Sequence, residues 1–189
     1  MKNNSIRILD ILISILMLIL TSPLIVLISL IIFLFYGKPI IFKQTRIGLY
    51  GKKFEMLKFR TMKNEIFKNE NDRLTKFGII LRRLSFDEIP QFLNVLKNDM
   101  SLVGPRPLPE VNEAKIYNRF RELRNKVLPG ITGFSQINYS GKYRKLNDKV
   151  KLDIKFVKNY NLYNYLKILM KTPIVLVIRL IRNKSSVIK

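Results

Sequence analysis

The sequence predicts an α+β protein that is mainly helical, with a broken apolar helix at its N-terminus followed by a small domain that contains a β-hairpin. Three observations predict this class. Residues 11–37 carry no charged side chain. Two short strand-like segments, near Ile40–Lys43 and Phe54–Phe59, are separated by a Gly-Leu-Tyr-Gly turn. Apolar residues recur at helical spacing through much of the remaining chain.

The composition limits the chemistry that this chain can perform. Its 189 residues include neither Cys nor His, which excludes disulfides, thiolate nucleophiles, Ser-His-Asp triads and most zinc sites. An enzyme of this composition must use Asp, Glu, Lys, Ser, Thr or Tyr as its nucleophile or base. The formal net charge of +22 indicates anionic partners, and the apolar fraction of 48% favours a membrane surface over free nucleic acid.

The apolar run at residues 11–37 is long enough to span a bilayer. A straight helix of this length covers about 40 Å, more than the roughly 30 Å of bilayer hydrocarbon. Hydropathy alone therefore favours one transmembrane helix, but Ser22 and Pro23 interrupt the run at its middle. Proline removes a backbone donor and disfavours the helix at the preceding residue, while a Ser hydroxyl can donate to a carbonyl freed near Leu18 or Ile19. Ser22 and Pro23 therefore predict a sharp bend.

The charges that flank this run favour a re-entrant path. Basic residues, which are retained on the cytoplasmic side of a membrane, lie at both ends: Lys2 and Arg7 before the run, and Lys38, Lys43 and Arg46 after it. A helix–break–helix that enters and leaves the same membrane face accommodates both flanks, whereas a spanning helix places one of them on the opposite side. We therefore expect residues 1–37 to form a re-entrant membrane anchor and residues 38–189 to form a second domain.

Beyond the anchor, the sequence predicts short elements. Residues 63–76 indicate a loop or an exposed helix, and the prolines of "SLVGPRPLPE" indicate a rigid irregular loop. Helices are expected near Glu88–Lys97, at 110–126 and at 146–160, and "LPGITGFSQIN" predicts a turn followed by a short extended segment. The C-terminal segment from Leu162 fits either an interfacial amphipathic helix or a helix packed on the core.

Two adjacent acids stand out in "LRRLSFDEIPQFL", because Asp87 and Glu88 are the only carboxylates between Arg73 and Asn98. One interpretation is structural, since Pro90 belongs in a first helical turn. Ser85 could cap the helix with Glu88 in a capping box, or Asp87 could be the cap itself, and either arrangement is worth about 1 kcal/mol.

The other interpretation of the same pair is chemical. A helix N-terminus lowers the pKa of a carboxyl group, and an ionised Asp held there can attack phosphorus. Adjacent acids can also hold Mg²⁺, which takes oxygen ligands and shares them with substrate phosphates. The nearby Arg and Lys side chains would neutralise those phosphates.

Three segments carry a resemblance to a known family: "FKQTRIGLYGKKFEMLKFRTM", "LRRLSFDEIPQFLNVLKNDMSLVGPRPLPE" and "LPGITGFSQIN". In order and spacing they resemble the bacterial sugar transferases, which are monotopic polyprenyl-phosphate phosphoglycosyl transferases. The match runs from Ser22-Pro23 to the C-terminal helix. It implies a cytoplasmic catalytic domain, with a short β-hairpin and amphipathic interfacial helices, at the cytoplasmic face of the bacterial inner membrane. It also implies the first membrane step in the synthesis of capsule, O-antigen, exopolysaccharide or glycoprotein glycan.

The resemblance also implies a two-step reaction. Asp87 would attack the β-phosphate of a UDP-sugar and release UMP, and undecaprenyl phosphate or another polyprenyl phosphate would then take the sugar-1-phosphate from Asp87. Glu88 would hold Mg²⁺ (or Mn²⁺) together with Asp87. The basic residues that match motif positions around the phosphates are Lys58, Arg60, Arg82 and Arg106.

The chain departs from the family pattern in "QINYSGKYRKLND". Family members often carry Gly-Arg-Asn and a nearby Trp there, and their Arg binds the nucleotide phosphate. This chain contains no Trp, and Lys142 or Arg144 is the candidate replacement for that Arg.

Two other functions remain open from the sequence: a membrane-tethered nucleic-acid-binding protein and a lipid-binding scaffold without catalysis. No zinc-finger spacing, RNP-type aromatic motif or recognition helix supports nucleic-acid binding. The partners that we expect are therefore a UDP-sugar, a polyprenyl phosphate and membrane lipid, without nucleic acid, while a homodimer is left open.

Overall fold

The computed structural model describes residues 3–63, 73–138 and 145–185. The fold is mainly helical, with two small sheets of two strands each. Its helices are α1 Asn4–Leu20, α2 Ser22–Tyr36, α3 Lys76–Leu84, α4 Gln91–Leu96, α5 Glu110–Glu113, α6 Asn118–Arg124, α7 Phe134–Ile137, α8 Leu146–Lys158 and α9 Leu162–Ser185. Its strands are β1 Ile41–Ile47, β2 Lys53–Phe59, β3 Ser101–Val103 and β4 Gly130–Thr132.

The break in the apolar run is confirmed. Helices α1 and α2 meet at an angle of 61°, and the hydroxyl of Ser22 donates to the carbonyl of Ile19 at 2.8 Å. That carbonyl is the one that loses its partner, because Pro23 has no amide hydrogen. Among the described residues, no individual helix has the length and hydropathy to cross a bilayer, whereas the bent pair α1 and α2 meets that test together.

One side of the bent pair packs on the rest of the protein. Ile6 of α1 joins the main core cluster, and Ile28 and Ile32 of α2 pack with Phe59 and Leu81. The other side exposes large apolar residues on both helices: Ile8, Leu12, Ile15, Leu16, Ile19, Leu20, Val26, Leu27, Leu30, Phe33, Leu34 and Phe35. The pair is thus an integral layer of the fold with an uncovered apolar outer surface.

Polar contacts also fasten α1 to the core. Arg7 donates to the carbonyls of Val95 and Leu96 at 2.8 and 3.1 Å, where α4 ends. The buried carboxylate of Asp10 accepts from the backbone amide of Leu102 at 2.8 Å and from the hydroxyl of Tyr165. Because a buried carboxylate is costly unless it is hydrogen-bonded, these bonds position α1 against β3 and α9.

The predicted hairpin is confirmed and is longer than expected. Strands β1 and β2 pair antiparallel over seven residues each, with Ile41 opposite Phe59 and Ile47 opposite Lys53. Successive side chains alternate between the two faces of a strand. The register therefore places Arg46 and Lys58 on the same face of the hairpin.

The second sheet is a short parallel pair of β3 and β4. The two backbones pass so closely that a Cβ on Gly130 would lie 2.0 Å from the amide nitrogen of Gly104. Only glycine fits this contact. The crossing brings the proline-rich loop after β3 next to the segment that follows β4.

Two predicted helices differ in the structure. The helix expected near Glu88–Lys97 is a 3₁₀ turn, Phe86–Glu88, followed by the short α4. The helix expected at 110–126 is divided into α5 and α6, because Glu113 accepts hydrogen bonds from Arg124 and Asn125 and the chain must fold back to make them. The helix predicted at 146–160 is confirmed as α8, and the extended segment of "LPGITGFSQIN" is confirmed as β4.

The C-terminal helix α9 packs on the core with one face, which confirms one of the two alternatives that the sequence left open. Tyr165 and Ile168 are buried in the main core, while Tyr163, Met170 and Ile174 on another face are exposed. The prediction for residues 63–76 falls largely on residues 64–72, which lie outside the described residues, and Lys76 begins α3.

Candidate active site

The carboxylate pair lies in the 3₁₀ turn between α3 and α4. Ser85 ends α3 with a left-handed backbone (φ 59°), and Asp87 and Glu88 follow in the turn. Neither predicted capping arrangement occurs, because Pro90 is the N-cap of α4 and no side chain caps that helix. The turn is held instead by backbone hydrogen bonds and by the burial of Ile89. The acids are therefore not explained as helix caps.

Lys58 contacts both acids. Its ammonium nitrogen lies 2.6 Å from Oε1 of Glu88 and 3.6 Å from Oδ2 of Asp87. All three side chains are largely buried. Ion pairs are screened less when they are buried. Of the charges near Asp87 and Glu88, that of Lys58 therefore has the largest effect on both carboxylates.

The two carboxyl groups differ in their pKa. Burial raises the pKa of Asp87 and the neighbouring Glu88 charge adds to this effect, while Lys58 and Arg82 oppose it. Burial also acts to raise the pKa of Glu88, but Lys58 and Arg106 outweigh it, so that this pKa is lowered. The expected lowering by a helix start is thus wrong for Asp87, because no α-helix begins at that residue.

Arg106 reaches the pair from the proline-rich loop. Its guanidinium lies 3.8 Å from Oε1 of Glu88, and its side chain is half exposed. The loop is supported from behind by Arg124, which donates to the carbonyl of Arg106. Arg124 is itself buried and pairs with Glu113 at 3.1 Å and with Asp153 at 3.0 Å.

The other predicted basic residues have different positions. Arg82 is exposed, lowers the pKa of Asp87 and donates through Nε to the hydroxyl of Thr61. Arg60 is buried and donates to the carbonyls of Tyr36, Gly37 and Lys38 at the end of α2. These bonds tie the guanidinium of Arg60 to the end of α2, and its predicted contact with a substrate phosphate stays a prediction.

Lys142 and Arg144 lie outside the described residues, so their predicted contacts with the nucleotide stay predictions.

Arg46 is a site residue that the sequence interpretation missed, because it was considered only as a charge flanking the anchor. It lines a small cavity together with Glu88, Arg106 and Gln136. Burial lowers the pKa of Arg46 to about 10, with a further contribution from Arg106, so its guanidinium stays charged at neutral pH. The two-residue period of the hairpin, which places Arg46 on the face of Lys58, is the sequence signal that could have found it.

The pair fits a divalent cation that is shared with substrate. Within the described part of the chain, no group of three or more Asp, Glu, His or Cys side chains could enclose a metal ion. Mg²⁺ is commonly bound through one or two carboxylates with substrate phosphates completing the shell, and Asp87 and Glu88 supply such a pair. These oxygen donors suit Mg²⁺ or Mn²⁺.

Comparison with known proteins identifies the family of this chain. The model of the family described as "Bacterial sugar transferase" matches residues 1–179. The chain is 43% identical to the sugar transferase EpsL of Bacillus subtilis over 171 residues, which cover 88% of this chain and 84% of that protein. It is 40% identical to the "UDP-glucose:undecaprenyl-phosphate glucose-1-phosphate transferase" of Escherichia coli, in a match that covers 86% of this chain but only 38% of that longer protein. It is 39% identical to the galactosyl transferase CpsE of Streptococcus agalactiae, in a match that covers 72% of this chain and 34% of that protein. The chain therefore belongs to the bacterial sugar transferase family.

Proposed function

We propose that this protein transfers a sugar-1-phosphate from a UDP-sugar to undecaprenyl phosphate, or a closely similar polyprenyl phosphate. The observation that carries the proposal is the adjacent pair Asp87 and Glu88, held in a turn against Lys58 and Arg106. The name of the Escherichia coli relative, a UDP-glucose:undecaprenyl-phosphate glucose-1-phosphate transferase, supports the donor and acceptor classes.

In the first step, a carboxylate oxygen of Asp87 attacks the β-phosphorus of the UDP-sugar. A new oxygen–phosphorus bond forms, and the bond from that phosphorus to the oxygen bridging the two phosphates breaks. UMP leaves with the bonding electrons, and the sugar phosphate remains on Asp87 as an acyl phosphate. The protein contains neither Cys nor His, so a carboxylate is the nucleophile most consistent with its composition.

In the second step, a phosphate oxygen of the polyprenyl phosphate attacks the same phosphorus. The bond to Asp87 breaks, the carboxylate is regenerated, and a polyprenyl diphosphate sugar is released. An acceptor phosphate that is fully ionised needs no proton to be removed. Because the pKa of Glu88 is lowered, this residue is a weak base, and the fully ionised acceptor is the form that reacts.

Three cations around the turn stabilise the phosphates in this scheme. Lys58 contacts both carboxylates, Arg106 is half exposed beside Glu88, and Arg46 faces the same small cavity. Such fixed positive charges stabilise phosphoryl transfer because negative charge accumulates on the transferred group. Asp87 and Glu88 would hold Mg²⁺, and a bound Mg²⁺ would neutralise negative charge on the substrate phosphates.

The outer surface of the bent helices supports a monotopic location. Exposed apolar patches of this extent mark interaction surfaces, and the flanking basic residues favour one cytoplasmic face for both ends. We propose that α1 and α2 enter the inner membrane from the cytoplasmic side and return to it. This placement brings the site to the interface where a soluble nucleotide sugar and a lipid phosphate meet.

The test is the release of UMP from a panel of UDP-sugars in the presence of Mg²⁺ and undecaprenyl phosphate. We expect release with at least one sugar, and only that sugar should appear in the lipid product. The relatives are named for both glucose and galactose, so both belong in the panel. Absence of UMP with every sugar would favour the nucleic-acid-binding or scaffold alternatives, neither of which predicts turnover.

A further inference from the structure

A second polar cavity lies outside the candidate active site, between the end of α7, the last turns of α8 and the first half of α9. Its volume is about 310 Å³. The buried residues Phe156 and Ile168 form its floor with Phe134, and Lys155, Lys167 and Lys171 line it. Among the residues that the structure describes, no carboxylate lines this cavity, and none of its lining residues also lines the cavity around Glu88.

The three lysines have no carboxylate partner among the described residues, and their side chains are exposed. The ammonium groups of Lys155 and Lys167 each lie 6.0 Å from an aromatic ring centroid, those of Phe134 and Tyr163, contacts that leave their charges uncompensated. The positive charge of Lys155 has a structural role, because Lys155 lies in the last turn of α8, where the helix dipole favours a cation. Lys167 and Lys171 lie away from the ends of α9, so the helix dipole does not account for their charges. Three like charges around one apolar-floored cavity favour an anionic ligand.

The neighbouring surface of α9 indicates the source of that anion. Lys167 and Lys171 are four residues apart and therefore share a face. The adjoining face exposes a continuous apolar stripe: Tyr163, Leu166, Met170, Ile174, Val177, Ile178 and Ile181. A helix with such a stripe bordered by lysines lies in the plane of a membrane, with its lysines at the level of the lipid headgroups.

We propose that this cavity binds the headgroup phosphate of an anionic phospholipid, with the acyl chains of that lipid lying along the apolar stripe of α9. The inference rests on the membrane location in the proposed function. The volume is at the lower end for small-molecule sites and suits a headgroup rather than a whole lipid. The acceptor phosphate must reach Asp87, and the cavity contains none of the residues around Asp87, so the bound lipid is a resident neighbour and not the substrate.

The experiment compares binding of the detergent-purified full chain to vesicles of phosphatidylglycerol and of phosphatidylcholine, by co-sedimentation. The site variant carries Lys155→Gln, Lys167→Gln and Lys171→Gln. The matched control carries Lys52→Gln, Lys115→Gln and Lys151→Gln, which remove the same charge from exposed lysines outside the cavity. Both variants should retain UMP release, because none of these lysines contacts the carboxylate pair.

We expect the site variant to bind phosphatidylglycerol vesicles about 10²-fold more weakly than the control variant, because each of the three lysines at the headgroups contributes about a fivefold factor. Equal weakening of both variants would mean that only the general surface charge acts, and the site would be withdrawn. Loss of vesicle binding in millimolar inorganic phosphate at constant ionic strength would assign the cavity to a soluble phosphate and would overturn the proposal of a lipid ligand. If the wild type binds neither vesicle, the membrane location itself fails, whereas UMP release tests the transferase reaction separately.

Discussion

The ammonium group of Lys58 lies 2.6 Å from Oε1 of Glu88, a residue 30 positions later in the chain. The same nitrogen lies 3.6 Å from Oδ2 of Asp87. One strand residue therefore joins the β-hairpin to the turn that carries both acids. The arrangement keeps two adjacent carboxylates together at a largely buried position, where their mutual repulsion would otherwise be costly.

The nucleophile can be tested by Asp87→Asn. We expect UMP release to fall to background while the fold is kept, because an amide is not a useful nucleophile towards phosphorus. Incubation of the wild type with the UDP-sugar alone should leave the mass of a sugar phosphate on the peptide that contains Asp87. Asp148→Asn, on the partly exposed first turn of α8, is the matched control and should keep full activity. Turnover by the Asp87 variant would rule out the covalent route.

The metal can be tested by chelation and by Glu88→Gln. EDTA should stop UMP release and added Mg²⁺ should restore it, because the two carboxylates offer the oxygen donors that this cation prefers. The Glu88 variant should lose most activity and require more Mg²⁺ for half-maximal rate. Glu55→Gln, which breaks the exposed ion pair with Lys43, is the control and should leave the Mg²⁺ requirement unchanged. Full activity in EDTA would remove the metal from the mechanism.

Lys58→Met tests the shared cation. We expect kcat/KM to fall by about 10²- to 10³-fold, the usual loss when one fixed electrostatic group is removed from a transition state. Lys43→Met is a matched control on the same hairpin, since Lys43 also forms an ion pair, at 2.9 Å, but is 60% exposed. That variant should retain nearly normal kcat/KM. Equal losses in the two variants would show that the hairpin tolerates neither change and that Lys58 has no special role.

Arg124→Met tests the support of the Arg106 loop. The change leaves Glu113 and Asp153 buried without their cation, and breaking a buried ion pair in this way costs about 3–5 kcal/mol. We expect a large fall in the thermal unfolding temperature and, below it, reduced activity. Arg121→Met, one turn earlier on α6, removes only an exposed bond to Asn118 and serves as the control. Unfolding temperatures that coincide for the two variants would contradict the support assigned to Arg124.

The anchor can be tested by cysteine labelling, because the chain has no native Cys. Asn4→Cys is the probe, since the side chain of Asn3 accepts the hydrogen bond from the amide of Ile6 that caps α1. In intact cells we expect the probe to be protected from impermeant reagents and to be labelled after permeabilisation. Pro23→Leu together with Ser22→Ala restores the helix hydrogen bond, favours a straight span and should expose the probe outside. Labelling of the wild-type probe from outside would mean an ordinary transmembrane helix.

Some features of this protein follow from local chemistry, and the sequence alone determined them. Pro23 cannot donate to Ile19 in any fold, so the break in the apolar run was evident from the residue types. The hairpin followed from two short strand-like segments and the glycine-containing turn between them, which are local features of the sequence. The adjacent acids and the three motifs could be read directly, and they led to the family that the comparisons confirmed.

Other features depend on contacts between distant residues, and only the tertiary structure decided them. Asp87 lies in a 3₁₀ turn because Ser85 ends α3 and the next helix begins only at Gln91. The spacing of apolar residues in the sequence does not show where these two helices end and begin. The bond between Asp10 and Tyr165 joins residues 155 positions apart and makes α1 part of the core. The sequence shows that an arginine is charged, but only the packing of the chain decides which groups its guanidinium contacts. For that reason Arg60 donates to a carbonyl at the end of α2, whereas Arg46 lines the small cavity beside Glu88.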